Sequence, residues 1–180
     1  MAKKNVVVIG YGGMGGWHTR AICGSKLEND GYQPPKGLEN GSDCVNLKGV
    51  YDIKEERQEL ARQRGLYTYP SFEAVLEDPE VDILTLAVPN DCHKELAIRA
   101  MAAGKNVISE KPVTLCSADL QEMIDASEKY GKLFTVHQNR RWDEDFLIMK
   151  KIYDEGTLGP VFNIESRVHG SRGIPGDWRN

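Results

Sequence analysis

Cysteine is sparse in this 180-residue sequence: Cys23, Cys44, Cys92 and Cys116 stand far apart and no Cys-x-x-Cys occurs. That spacing argues against a disulfide framework or a zinc site, leaves no metal expected, and suits reduced thiols. Long apolar runs are missing too. Met1-Ala-Lys-Lys-Asn5 leads into only four strongly apolar residues, Val6 to Ile9, before Gly10. This is too short for the core of a signal peptide and far too short for a membrane span. The expectation is a cytoplasmic protein with no membrane partner. Charge of one sign is not in large excess, since 23 Lys and Arg against 27 Asp and Glu leave a formal net charge of -4. Nothing electrostatic therefore points to nucleic acid. The sequence has no internal repeat and no low-complexity tract. Its length suffices for one well-buried core and falls short of two full domains of ordinary size.

What is present is an alternation of short apolar runs with helix-favouring segments. Asn5 to Gly10 reads as a first strand, and a helix starts near Gly13 and runs to about Cys23. Leu47 to Asp52 reads as a second strand, followed by the strongly helix-favouring Lys54 to Arg64 with Gly65 as its stop. Ser71 predicts the cap of a short helix to Glu77, with Glu73 in the first turn where a carboxylate is favoured. Asp82 to Val88 is a nearly continuous apolar run, the mark of a strand covered on both faces. Asn90, as cap, opens a helix to Ala103 ended by Gly104, and Lys105 to Ser109 is a further strand. Ser117 caps a helix to Tyr130 stopped by Gly131, before a strand at Leu133 to Val136. Alternation this regular predicts an α/β fold, a doubly wound parallel sheet with helices on both faces.

Two stretches break the pattern. Between Gly24 and Asp43 stand Gly31, Pro34, Pro35, Gly37 and Gly41, too many breakers to continue the first helix, so this reads as a surface excursion. Near the end, Asp143 to Glu155 reads as helical, Gly156 and Gly159-Pro160 punctuate it, and Val161 to Val168 is an extended run.

The cluster Gly10-Tyr11-Gly12-Gly13-Met14-Gly15 follows a strand and opens a helix, the context a G-x-G-x-x-G fingerprint needs. Gly10 would permit the tight turn, Gly12 the close approach of backbone to a pyrophosphate, and Gly15 the packing of helix on strand. Free N–H groups at the positive end of the helix dipole would face the phosphates. The acid that bonds the adenosine ribose is expected about 20 residues further on, and the excursion places Asp52 roughly twice as far. Asp52 still ends the second strand, where a carboxylate accepts hydrogen bonds from both ribose hydroxyls and repels a 2'-phosphate. It argues for NAD, with NADP kept open by Lys54 and Arg57, and a helix cap is its other reading. Pro89, Asn90 and His93 follow the third strand at the cofactor-binding edge, where His93 reads equally as a first-turn helix residue. In Glu110-Lys111-Pro112, proline biases Lys111 towards an extended backbone. Its amine would then stand at a strand end, either as a surface charge or as the group that takes a proton from a hydroxyl while hydride leaves the same carbon.

In order along the chain, Gly10-x-Gly12-x-x-Gly15-x-x-His18, Pro89-Asn90-x-x-His93, Ala103-Gly104-Lys105-x-Val107, Glu110-Lys111-Pro112 and Asn139-Arg140-Arg141 resemble the glucose-fructose oxidoreductase and inositol dehydrogenase (Gfo/Idh/MocA) family. The resemblance spans nearly the whole chain, and Glu-Lys-Pro is its most specific part. It implies a Rossmann-type fold and NAD(P)-dependent oxidation or reduction of a sugar, inositol or related polyol carbon. It also implies a cofactor loop at Gly10 to Gly15 and a ribose acid at Asp52. Pro89, Asn90, His93 and Glu110 are then contacts around the nicotinamide, and Lys111 is the lysine at cofactor and substrate. Arg140 matches a position near the cleft, and Trp178-Arg179 matches the start of an inter-domain segment.

The domain reading that follows is a dinucleotide-binding domain at residues 1–141, with a linker helix and the first strand of a second, α+β domain at 142–180. Family members continue into an open sheet that supplies an Asp and a His beside the substrate and the oligomer interface. The expectation is therefore dinucleotide binding without efficient turnover by this chain alone, and a homo-oligomer for a full-length protein. A reading of different class is a non-catalytic nicotinamide-binding module that senses redox state or pairs with another chain.

Overall fold

The structure is a computed structural model and describes residues 2–27 and 37–167. Gly31, Pro34, Pro35, Val168 and Trp178-Arg179 lie outside the described residues. The chain forms two compact units, Met1–Gln138 and Asn139–Asn180.

The first unit is built on five strands: β1 (Lys4–Ile9), β2 (Val45–Tyr51), β3 (Ile83–Leu86), β4 (Asn106–Ser109) and β5 (Phe134–Val136). All pair in parallel in the order β2-β1-β3-β4-β5. Helices α1 (Gly13–Cys23), α2 (Glu55–Gln63), α3 (Phe72–Glu77), α4 (His93–Ala102) and α5 (Ser117–Tyr130) connect them. Side chains alternate across a strand, and β1 shows both consequences. Val7 and Ile9 join Leu84, Leu86 and Val107 against Ala97, Ala100 and Met101 of α4 and Met123 of α5. Val8 points the other way, to Val50, Tyr11 and Ala61 of α2. Both faces of the sheet are thus covered, which is why its strands read as unbroken apolar runs.

The chain leaves β1 towards β2 and returns to the other side of β1 at β3. That reversal creates a switch point at the carboxyl ends of β1 and β3, where sheets of this type open a crevice for ligands. Two loops meet there. Gly10 has φ +91°, and a Cβ on it would come within 2.4 Å of the Ala87 carbonyl oxygen, so only glycine fits the turn after β1.

The caps differ in part from expectation. Ser71 does cap α3, its hydroxyl accepting from the Ala74 N–H at 3.0 Å. Asn90 does not cap α4: Asn90–Cys92 is a single 3-10 turn after Pro89, with no side-chain cap, and α4 proper starts at His93. Ser117 is the first residue inside α5, and the cap position with extended backbone belongs to Cys116. A hydroxyl placed one residue inside the helix is past the point from which it caps.

In the second unit, Asn139–Trp142 forms a 3-10 turn and α6 spans Glu144–Asp154, with no buried residue in either. Residues 161–167 hold no strand. The extended run expected there has β-like composition, but a strand exists only where a neighbour takes its backbone hydrogen bonds.

Candidate active site at the strand ends

Helix α1 begins on Gly12, which has extended backbone and offers no side-chain cap. A Cβ on Gly12 or Gly13 would meet no protein atom within 4 Å, whereas one on Gly15 would strike the Gly10 carbonyl oxygen at 1.9 Å. The three fingerprint glycines therefore do different work: Gly10 turns, Gly15 packs, and Gly12 leaves open space over bare backbone at the positive end of α1. Gly13 and Met14 are exposed beside it. These residues fit a pyrophosphate. Tyr11 contributes differently from its neighbours. Its side chain is buried in the core, its hydroxyl accepts from Arg64 Nη1 at 3.2 Å, and its backbone N–H donates to Asp52.

Asp52 ends β2 across from this loop. Its Oδ2 accepts from the Tyr11 N–H at 2.6 Å and its Oδ1 from the Lys54 N–H at 2.9 Å. The cap position of α2 is Lys54, so Asp52 ties the glycine loop to β2 instead of capping the helix. A carboxylate has about four acceptor sites, and two remain for ribose hydroxyls.

At the end of β3, Pro89 is exposed and Asn90 half-buried. Asn90 lines a cavity of about 310 Å³ with Asp91, Lys94, Glu95, Thr114, Leu115 and Asp119. His93 is fully buried. Its Nε2 stands 3.1 Å from the Val88 carbonyl oxygen and its Nδ1 3.1 Å from that of Val113. The ring therefore joins the end of β3 to the chain after Lys111-Pro112. Spacing alone could not show this, because Val113 is distant in sequence.

The end of β4 carries the most structured polar cluster. Glu110 is 5% exposed, and its Oε1 lies 2.8 Å from both His18 Nε2 and His137 Nδ1. Its Oε2 accepts from the Lys111 N–H at 3.2 Å. Burial alone would push the Glu110 carboxyl up, but the two imidazole donors outweigh it and hold it well below the ordinary carboxylate range. An ionised carboxylate only accepts, so His18 presents Nε2–H and His137 presents Nδ1–H. Trp17 packs on both rings, with centroids 5.3 Å from His18 and 5.5 Å from His137. The three donor atoms lie within 4.8 Å of one another and could hold a metal ion, although both nitrogens already stand at hydrogen-bond distance from one oxygen. Lys111 itself is exposed, and its bond to Pro112 is cis. His137 and Trp17 were missed by motif reading. The available signal for His137 was its position just past a strand, at the same edge as Glu110.

Arg140 belongs to the second unit, where it is exposed and its Nη1 donates to Asp143 Oδ2 at 2.9 Å.

A parallel sheet with this switch point, a glycine-built turn that opens on bare helix backbone and an acid at the end of β2 is the arrangement of a dinucleotide-binding domain. Over residues 4–138 the sequence matches the Gfo/Idh/MocA oxidoreductase family, NAD-binding Rossmann fold, and the chain belongs to that family. It is similar to the crystal structure of an NAD-binding protein from Listeria innocua, at 49% identity and a TM-score of 0.84, covering 99% of this chain and 48% of that one. It is also similar to a myo-inositol 2-dehydrogenase from Lactobacillus plantarum, at 26% identity and a TM-score of 0.71, covering 88% and 43%. The scyllo-inositol 2-dehydrogenase (NADP(+)) IolW of Bacillus subtilis is 36% identical over 90 residues, 50% of this chain and 25% of that protein. The chain thus spans less than half the length of these relatives. Among the described residues, no helix is long and apolar enough to cross a membrane.

Proposed function

We propose that this chain binds NAD as the cofactor domain of a dehydrogenase that oxidises a secondary alcohol of an inositol, sugar or related polyol. The bare, open backbone at Gly12, set between the Gly10 turn and the Asp52 tether, carries the reading. Adenosine would lie towards β2 with its ribose hydroxyls on Asp52, the pyrophosphate over Gly12 to Met14, and the nicotinamide half on the β3–β5 side of the switch point. When bound, the nicotinamide supplies a hydride acceptor. Lys111, in its neutral form, takes the proton of the substrate hydroxyl as hydride leaves the same carbon, so no charge accumulates on the alcohol oxygen. Pro89 and Asn90 edge the same space, while His93 and Glu110 hold the two strand ends in place behind it. The relatives named as inositol dehydrogenases support the polyol class.

The test is calorimetric titration of the chain with NAD and, separately, NADP. NAD is expected to bind at least about tenfold more tightly, because a 2'-phosphate brings negative charge to the Asp52 carboxylate. Asp52→Asn should narrow the gap. A folded chain that binds neither nucleotide overturns the reading. In a protein that turns over a polyol, Lys111→Met should lower kcat by about a hundredfold or more while leaving NAD affinity unchanged.

A further inference from the structure

The Glu110 cluster is more than the loop after β4 requires. Two imidazole N–H groups converge on Oε1, from α1 and from the residue after β5, and fill both of its acceptor sites. Each ring presents one N–H to the same oxygen, so the buried carboxylate accepts from both. That anion stands at the carboxyl end of β4, on the side of the switch point assigned above to nicotinamide. A charge in such a water-poor setting acts over several ångströms with little screening. The two redox forms of the cofactor differ at one place in formal charge: the oxidised nicotinamide ring is a cation and the reduced ring is neutral.

We propose that Glu110, held by His18 and His137, sets the redox preference of the bound cofactor by favouring the oxidised over the reduced nicotinamide. This rests on the dinucleotide reading above and adds a role for the glutamate that is separate from hydride or proton transfer. Glu110 is a tuning and positioning residue, since it touches the site through the Lys111 N–H and its own field. A favoured oxidised form eases release of the reduced cofactor and lowers the tendency of the bound cofactor to accept hydride.

The experiment measures dissociation constants for NAD and NADH separately, on the same 180-residue chain, in wild type and two variants. Glu110→Gln keeps the shape and removes the charge. His137→Lys leaves Glu110 in place and sets a cation beside it from a half-buried position. Both should raise the affinity for NADH relative to NAD by roughly tenfold. His137→Asn, which can keep an N–H near the position of Nδ1 and leaves the charge intact, should hold the wild-type ratio. Loss of packing would weaken both forms together and leave the ratio where it was, so the ratio separates electrostatics from structural damage. If Glu110→Gln does not fold, His137→Lys carries the test. Wild-type chain that binds neither form overturns the dinucleotide reading and this inference with it. Binding of both forms with a ratio unmoved by charge removal overturns the inference alone.

Discussion

Residues 4–138 and residues 139–167 are both supplied with large apolar side chains, yet only the first region buries them. In the sheet unit Leu84, Leu86, Met101, Val107 and Met123 are wholly inaccessible. In α6, Phe146, Leu147, Ile148, Ile152 and Tyr153 are all exposed. The helix forms all the same, with Glu144 and Asp145 in its first turn and an ion pair between Lys150 and Asp154 one turn apart. Local rules are enough to write a helix, whereas burial needs a second surface. The first unit supplies that surface from its own strands and helices, and among the described residues of the second none supplies it.

The sharpest way to break this contrast is truncation at matched positions. Leu84→Ala removes a fully buried side chain between sheet and helices and should cost about 2–5 kcal/mol in urea unfolding. Phe146→Ala should cost no more than about 0.5 kcal/mol, as exposed substitutions do. Equal losses would mean that α6 is packed as firmly as β3. A second pair probes the glycine loop. Gly15→Ala forces a Cβ to 1.9 Å from the Gly10 oxygen and should destabilise by about 1–3 kcal/mol or more. Gly12→Ala enters open space and should leave the unfolding midpoint unchanged, yet weaken NAD binding at least about tenfold by filling the ligand's place. A Gly12→Ala chain that binds NAD normally would remove the cradle from the site.

The same contrast explains what could be read from the sequence. Five strands, their parallel arrangement, the turn at Gly10 and the close packing at Gly15 were legible, because buried runs and punctuating glycines are local signals. The ends of elements were less so. Cys116 holds the cap position of α5 although Ser117 is the better capping residue, since the entry angle of the chain decides which residue keeps extended backbone. Least legible was the Glu110 cluster. His18, Glu110 and His137 come from α1, the end of β4 and the end of β5, and nothing local in the sequence says that three such residues share one oxygen. Glu110 could be named only through a motif, as a nicotinamide contact, and the structure gives it two histidine partners.

The cluster should also leave a mark on acid stability. The Glu110 carboxyl is held below its ordinary value of 4.5 in the folded chain. Its contribution is therefore fully present at neutral pH, starts to fall as pH drops through the unfolded value, and is gone below the folded one. Glu110→Gln should lower stability at pH 7 by about 1–3 kcal/mol, because the two imidazoles share Oε1 and the amide that replaces Oε2 leaves the Lys111 N–H without its acceptor. The gap to wild type should shrink as the pH falls below about 4.5. Unfolding curves at several pH values test this, and a gap that stays constant to pH 3 would deny the carboxylate its charge-dependent role.

The smallest effects lie at the helix starts inside the sheet unit. Ser71→Ala removes the hydroxyl that accepts from the Ala74 N–H and should cost about 1 kcal/mol. Cys116→Ser should do the reverse. Cys116 already has the extended backbone of a cap, and its side chain makes no cap hydrogen bond, so a hydroxyl there can reach an N–H two or three residues on without moving the backbone. A gain of about 0.5–1 kcal/mol is expected, read as a raised urea midpoint with unchanged slope. A comparable serine at Asp143, the cap position of α6, should change little in the same experiment, because α6 holds no buried residue for a firmer cap to protect. If the Asp143→Ser change moved the midpoint as far as Cys116→Ser, the worth of a cap would not depend on how much surface its helix buries.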